Sequence, residues 1–251
     1  MIPLRDENPL RSFPLVTRSL VLINALVFLL AAAEGLESTA MEYGAVPVLI
    51  TEPELAGQST VEVDRKIRSI DTYGMQNTQR VSARVDLPRQ SLPPLLTLLT
   101  SMFLHGGLFH LVGNMWFLWI FGDNVEDLLG RGRFLVFYLA CGIAAVLAHV
   151  LLNPSSVVPV VGASGAISGL MGAYMRKFPL ARVTTLIPLF LFFQIVRIPA
   201  FFFLGIWLLL QVVSIGSDAG IAWLAHIGGF LAGFLLIGWM SRRRPGRIPV
   251  R

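Results

Sequence analysis

The stretch Val160–Tyr174 reads VVGASGAISGLMGAY. It is apolar enough to lie in hydrocarbon, yet Ser164 stands between Ala163 and Gly165, with Gly162 just before it. Such a serine either packs between closely approaching helices or acts as a nucleophile with room around it. Gly165, Gly169 and Ala173 recur every fourth residue, as do Ser168 and Gly172. Faces of small residues at this spacing let helix backbones approach one another closely. A matching face, Ala225, Gly229 and Gly233, occurs in AHIGGFLAG (Ala225–Gly233). If the two faces pack, Ser164 and His226 lie at the same end of one tight contact. A serine needs a nearby base to become a nucleophile, and a histidine can accept its proton near neutral pH.

Composition sets the solvent. The chain is 55% hydrophobic and 14% charged, with a mean hydropathy of +0.69. A soluble domain of 251 residues cannot hide that much apolar surface, so a bilayer is expected. Cys141 is the one cysteine, which excludes an intrachain disulfide and a cysteine metal site. The N-terminal MIPLRDENPLRSFP carries acids and prolines, and no small-residue cleavage site follows the first apolar run. That pattern predicts a retained helix, not a signal peptide.

Spans of about 20 mostly apolar residues mark transmembrane helices. Candidates lie at Leu15–Ala33, Leu108–Leu128, Phe134–Leu152, Ser164–Lys177, Ala200–Ile215 and Ile221–Met240, the fourth being short. Thr184–Ile195 is apolar but broken by Pro188 and flanked by Arg182 and Arg197, which suggests an interfacial or re-entrant piece. The fold class expected is therefore an all-α membrane protein, a bundle of six transmembrane helices forming one domain over residues 1–251. Residues 34–94 form a polar, water-exposed insertion between the first two helices, and 241–251 a basic tail.

Fourteen of the 20 Lys and Arg residues fall before the first helix, between the second and third, between the fourth and fifth, or in the tail. An excess of basic residues marks cytoplasmic loops, so both termini are expected in the cytoplasm and residues 34–94 outside. The net charge of +5 raises the question of nucleic acid. A basic run directly after a transmembrane helix is better explained as a membrane-surface anchor, and no nucleic-acid partner is expected.

Polar side chains in hydrocarbon are costly and invite a functional reading. His110 and Asn114 are four apart, on one helical face, and both can donate hydrogen bonds. With the orientation above, Ser164, His226, His110 and Asn114 all fall near the outer surface at similar depth. His149 has no polar companion and reads as structural. His105, His110 and His226 could bind a metal, but the chain has no HExxH or CxxC and no intramembrane carboxylate to join them, so neither a metal nor a cofactor is expected. GASGA also departs from the GxSxG elbow of soluble hydrolases, because Ala166 stands where the last glycine belongs. A transporter would place charged or unwound segments at mid-bilayer, and no charged residue lies there.

Together, HGGLFHLVGNMWFLWIFGDNVED (His105–Asp127), GASG (Gly162–Gly165) and AHIGGFLAG resemble, in this order, the rhomboid family of intramembrane serine proteases, over about Leu98–Gly238. The resemblance implies a bacterial-type six-helix bundle in the cytoplasmic membrane, its active site below the outer surface. It implies a serine endopeptidase that cuts in or near single-pass transmembrane segments of membrane-protein substrates. Ser164 would be the nucleophile and His226 the general base, with His110, Asn114 and the Ser164 N–H as the oxyanion hole. His105 and Glu126 would be structural. Two positions depart from the family's pattern. Leu96-Thr97 stand where the family often has Trp-Arg. Ser168 occupies the place, one turn after the serine, from which some members stack an aromatic ring on the histidine. Either another side chain supports His226, or the imidazole is held less firmly.

Overall fold

In the computed structural model, residues 1–70, 76–189, 192–216 and 221–241 are described. Asp218 and the basic run of the tail, from Arg242 onward, lie outside them. The chain opens with strand β1 (Ile2–Asp6) and helix α1 (Leu15–Glu34), then two short helices, α2 (Leu36–Tyr43) and α3 (Pro47–Thr51). A hairpin of β2 (Thr60–Ile70) and β3 (Gln76–Asp86) follows, then the single turn α4 (Thr97–Thr100). The remaining elements are α5 (Leu108–Leu129), α6 (Arg131–Leu152), α7 (Ser164–Lys177), β4 (Arg182–Leu189), β5 (Phe192–Pro199), α8 (Ala200–Val213) and α9 (Trp223–Met240).

Helices α1, α6 and α9 are long and apolar enough to cross a membrane, and α8 is a shorter apolar helix. Each of the six expected spans is a helix, with ends that differ from the expectation by three residues or fewer.

The expectation of an all-α chain is corrected by two small sheets, of order β1-β4-β5 and β2-β3. The apolar piece around Thr184–Ile195 forms most of the β4–β5 hairpin, paired from Arg182↔Pro199 to Leu189↔Phe192. Its β-branched and aromatic side chains suit a strand, while Pro188 and Pro199 oppose a helix. β1 adds to it antiparallel, Ile2 opposite Leu186 and Asp6 opposite Val183, with an irregularity between Pro3 and Arg5. Proline has no N–H for the ladder, and the Pro3 carbonyl instead accepts the Trp116 indole N–H at 2.6 Å.

Glycine sets the central packing. α7 lies against both α9 and α6. A Cβ added at Gly233 would fall 1.9 Å from the Gly169 carbonyl oxygen, one at Gly229 2.1 Å from that of Gly165, and one at Gly172 2.1 Å from that of Phe230. These are backbone-on-backbone contacts that only glycine permits. On the other side of α7, Gly165 and Gly169 receive Ala145 and Cys141 of α6. The two small-residue faces read from the sequence do meet. Below them Phe121, Phe134, Phe137, Tyr138, Leu170 and Tyr174 are fully buried and fill the core.

Part of the 34–94 insertion is built into the fold. Ala45 exchanges backbone hydrogen bonds with Val160 (3.1 and 2.8 Å), and Val48 N–H donates to Ser156 C=O at 3.0 Å. Ala45, Val46 and Val48 are buried. The segment thus pins the loop that leads into α7.

Candidate active site

Ser164 is the first residue of α7. The backbone before it is fixed from two sides. Val160 is bridged to Ala45, and Gly162 N–H donates to Ser101 C=O at 2.8 Å. Gly162 has φ +122°, a conformation side-chain-bearing residues rarely adopt, and a Cβ there would sit 2.9 Å from His110 Cε1 and Nε2 and 3.6 Å from Ser164 Oγ. The absent side chain is what lets the His110 ring lie beside the backbone just ahead of the serine.

His110 and Asn114 come from the first turns of α5 and His226 from the first turn of α9. All three line, with Ser164, one cavity of about 810 Å³. The structure thus brings together the four residues singled out from the sequence, from three helices distant in the chain. Asn114 is buried and spends one amide hydrogen on the His110 carbonyl at 3.0 Å. An amide nitrogen has two donors, so one remains. Among the described residues no direct hydrogen bond joins Ser164 Oγ to His226. Catalytic hydrogen bonds are often long in an unliganded site and close when substrate binds.

The position left open by Ser168 is resolved from elsewhere. Ser168 is buried and its hydroxyl turns back to the Ser164 carbonyl at 2.6 Å. His226 is flanked instead by the Trp207 ring of α8, centroids 5.9 Å apart and tilted by 36°, and by the edge-on Trp223 ring at 6.1 Å and 88°. Its Nδ1 is 2.8 Å from Gln211 Oε1. Sequence reasoning passes over Trp207 and Gln211. The signal that points to them is a lone amide in an otherwise apolar helix, AFFFLGIWLLLQVV. His149, read as structural, also reaches the cavity wall. His105 is buried and meets the His110 ring edge-on at 5.1 Å. At the other departure, Thr97 is buried and its hydroxyl donates to the Pro94 carbonyl at 2.6 Å.

Glu126 is an acceptor at a helix start. Its carboxylate takes the N–H of Val16 (3.0 Å) and of Thr17 (2.7 Å) and the Thr17 hydroxyl (2.8 Å). Pro14 precedes α1 and makes no side-chain cap, so a residue of α5 satisfies two of the orphan donors there and sets its carboxylate at the helix's positive end.

The family model of the Rhomboid domain matches residues 93–244, which include all four candidate residues. The chain belongs to the rhomboid family. Relatives include Rhomboid protease GluP of Bacillus subtilis, 36% identical over 158 residues, covering 59% of this chain and 27% of that protein. RHOMBOID-like protein 6, mitochondrial, of Arabidopsis thaliana is 36% identical over 143 residues, covering 55% of this chain and 41% of its own length. Rhomboid protein 1, mitochondrial, of Saccharomyces cerevisiae is 31% identical over 155 residues, covering 57% and 41%. The chain thus spans well under half the length of these relatives. The rhomboid match and the apolar helices make this an integral membrane protein.

Proposed function

We propose that this rhomboid is an intramembrane serine endopeptidase that hydrolyses peptide bonds in or near transmembrane segments of membrane proteins. The observation that carries the reading is the convergence of Ser164, His226, His110 and Asn114 on one cavity. The name of the Bacillus subtilis relative, a rhomboid protease, agrees with it.

In the proposed reaction His226 takes the Ser164 proton as the hydroxyl oxygen attacks the substrate carbonyl. Charge develops on the carbonyl oxygen, where the remaining Asn114 N–H, a His110 N–H and the Ser164 backbone N–H stabilise it. Ser164 opens α7, so the helix adds its partial positive charge at the same place. The leaving amine takes the proton from His226, an acyl-enzyme remains on Ser164, and water releases it. Among the described residues no carboxylate lines the cavity, which favours a Ser–His dyad over a triad. Preorganised donors in a site drier than bulk water are each worth about 3 kcal/mol of barrier.

We place six spans across a bacterial cytoplasmic membrane, both termini inside and the site toward the outer face, on the distribution of basic residues. The cavity then opens toward the outer leaflet, and substrates arrive from the bilayer as single-pass helices.

The test is cleavage of a single-pass membrane substrate in detergent. The wild type should cut, Ser164→Ala and His226→Ala should not, and a fluorophosphonate should label the wild type alone. Cleavage that survives Ser164→Ala ends the nucleophile assignment. Binding without cleavage by the wild type would make the chain a non-catalytic member that holds membrane clients.

A further inference from the structure

Gln211 is the polar exception in α8 and is 6% exposed. An amide buried in an apolar helix is costly unless both its ends are paired. Its Nε2 donates to the Trp207 carbonyl one turn back, at 3.0 Å. That bond fixes the orientation of the amide, because the flipped rotamer would press Oε1 against another acceptor. Oε1 therefore faces His226 Nδ1 at 2.8 Å. An amide oxygen can only accept, so Nδ1 must carry the proton.

We propose that Gln211 is a positioning residue of the site: its amide oxygen holds the His226 imidazole in the Nδ1-protonated tautomer and leaves Nε2 as the basic nitrogen for the Ser164 proton. The inference rests on the protease reading for its catalytic meaning. In a Ser-His-Asp triad the acid at Nδ1 fixes the tautomer and stabilises the imidazolium that forms. A neutral amide does the first without the charge. The Trp207 indole, carried on the same helix one turn earlier, flanks the ring, so one face of α8 provides both the bond and the aromatic contact that Ser168 does not.

The experiment uses the full chain in detergent and the variants Gln211→Leu and Gln211→Glu, followed by the rate of fluorophosphonate labelling, by kcat and KM on a single-pass substrate, and by 15N spectra of labelled histidine. Gln211→Leu should lower kcat and the labelling rate about a hundredfold, the scale of a lost acid–base arrangement, with KM within about twofold. Gln211→Glu keeps an acceptor at Nδ1 and should recover most of that loss. The resonances removed by His226→Ala should show a protonated Nδ1 and a bare Nε2 in the wild type, and mixed tautomers in Gln211→Leu. Wild-type labelling by Gln211→Leu, or a wild-type spectrum with the proton on Nε2, overturns the proposal. If Gln211→Leu fails to fold, the wild-type spectrum and Gln211→Glu decide it alone. A wild type that the probe does not label above Ser164→Ala sinks the protease reading instead, and the tautomer then tests Gln211 by itself.

Discussion

The two ends of the helix bundle are built on opposite plans. At the end away from Ser164, polar groups are joined in closed sets. Asp6 of β1 accepts from the Tyr174 hydroxyl at 2.6 Å and from Asn124 Nδ2 at 2.7 Å. Glu126 takes three donors from the start of α1, and Arg176 donates to the Phe234 carbonyl of α9 at 2.6 Å. At the Ser164 end, both ring nitrogens of His105 and Nδ1 of His149 are buried without a protein partner, and polar side chains that include Ser164, His226, His110 and Asn114 line an open cavity. Buried polar groups are normally satisfied, and exceptions collect where a protein acts. On the proposed function, one end holds the helices in register while the other leaves hydrogen-bonding capacity for a substrate.

The sharpest way to break this contrast is to part the seam that both ends share. Gly233→Leu would drive a side chain into the Gly169 carbonyl, whose oxygen lies 1.9 Å from the added Cβ. Backbone has no way to yield there, so a loss above about 4 kcal/mol is expected. Melting temperature and proteolytic activity should fall together. A variant that melts like the wild type would mean that α7 and α9 are not in backbone contact.

The next largest effects should divide the two ends. Asn114→Ala removes one proposed oxyanion donor and should cost about a hundredfold in kcat with little change in melting. Gly162→Ala strains a φ of +122° and displaces His110, so activity should again fall much further than stability. Glu126→Ala should do the reverse. It strips three hydrogen bonds from the start of α1 and should cost about 2–3 kcal/mol, because charge-assisted bonds and newly unsatisfied donors are involved. Its effect on kcat, measured below the lowered melting temperature, should stay within a few-fold. If Glu126→Ala stopped catalysis without destabilising the chain, the division between the ends would be wrong.

Much of this arrangement is legible in the residues. Periodic small residues announce the α7–α9 contact, since glycines repeated every fourth position weaken a helix unless another backbone packs against them. The four proposed site residues, which line one cavity, are grouped by the expected topology, because direction through a bilayer fixes depth. What stays hidden depends on partners distant in sequence. Nothing local to Ile2–Asp6 says that it completes a sheet with Arg182–Pro199, because strand pairing is decided by the partner's edge. That Ala45 bridges Val160, turning part of a polar insertion into a support for the serine loop, is likewise a long-range fact. Gln211 is the one missed residue that carries its own signal, since a single amide in an apolar helix needs a partner.

The smallest effect tests the closed end through pH. Burial raises the Asp6 carboxyl from its ordinary 3.8 to about 6, outweighing the Tyr174 hydrogen bond that pulls it down. In the folded chain the protonated acid is therefore favoured, whereas in the unfolded chain it ionises near its ordinary value. The stability this group contributes is complete below about pH 4, is lost as pH rises through about 6, and is constant above that. Between pH 7 and pH 5 the gain on acidification should be about 1 kcal/mol, or roughly 2–4 °C in melting temperature for a chain of this size. Other groups titrate over the same range, so the informative quantity is the wild-type change minus that of Asp6→Asn, which keeps an acceptor for Tyr174 but cannot ionise. A positive difference of that size places the titration in the β1 arm. If Asp6→Asn has the same pH slope as the wild type, the arm is not where the closed end responds to acid, and Asp6 is better solvated than its bonds to Tyr174 and Asn124 suggest.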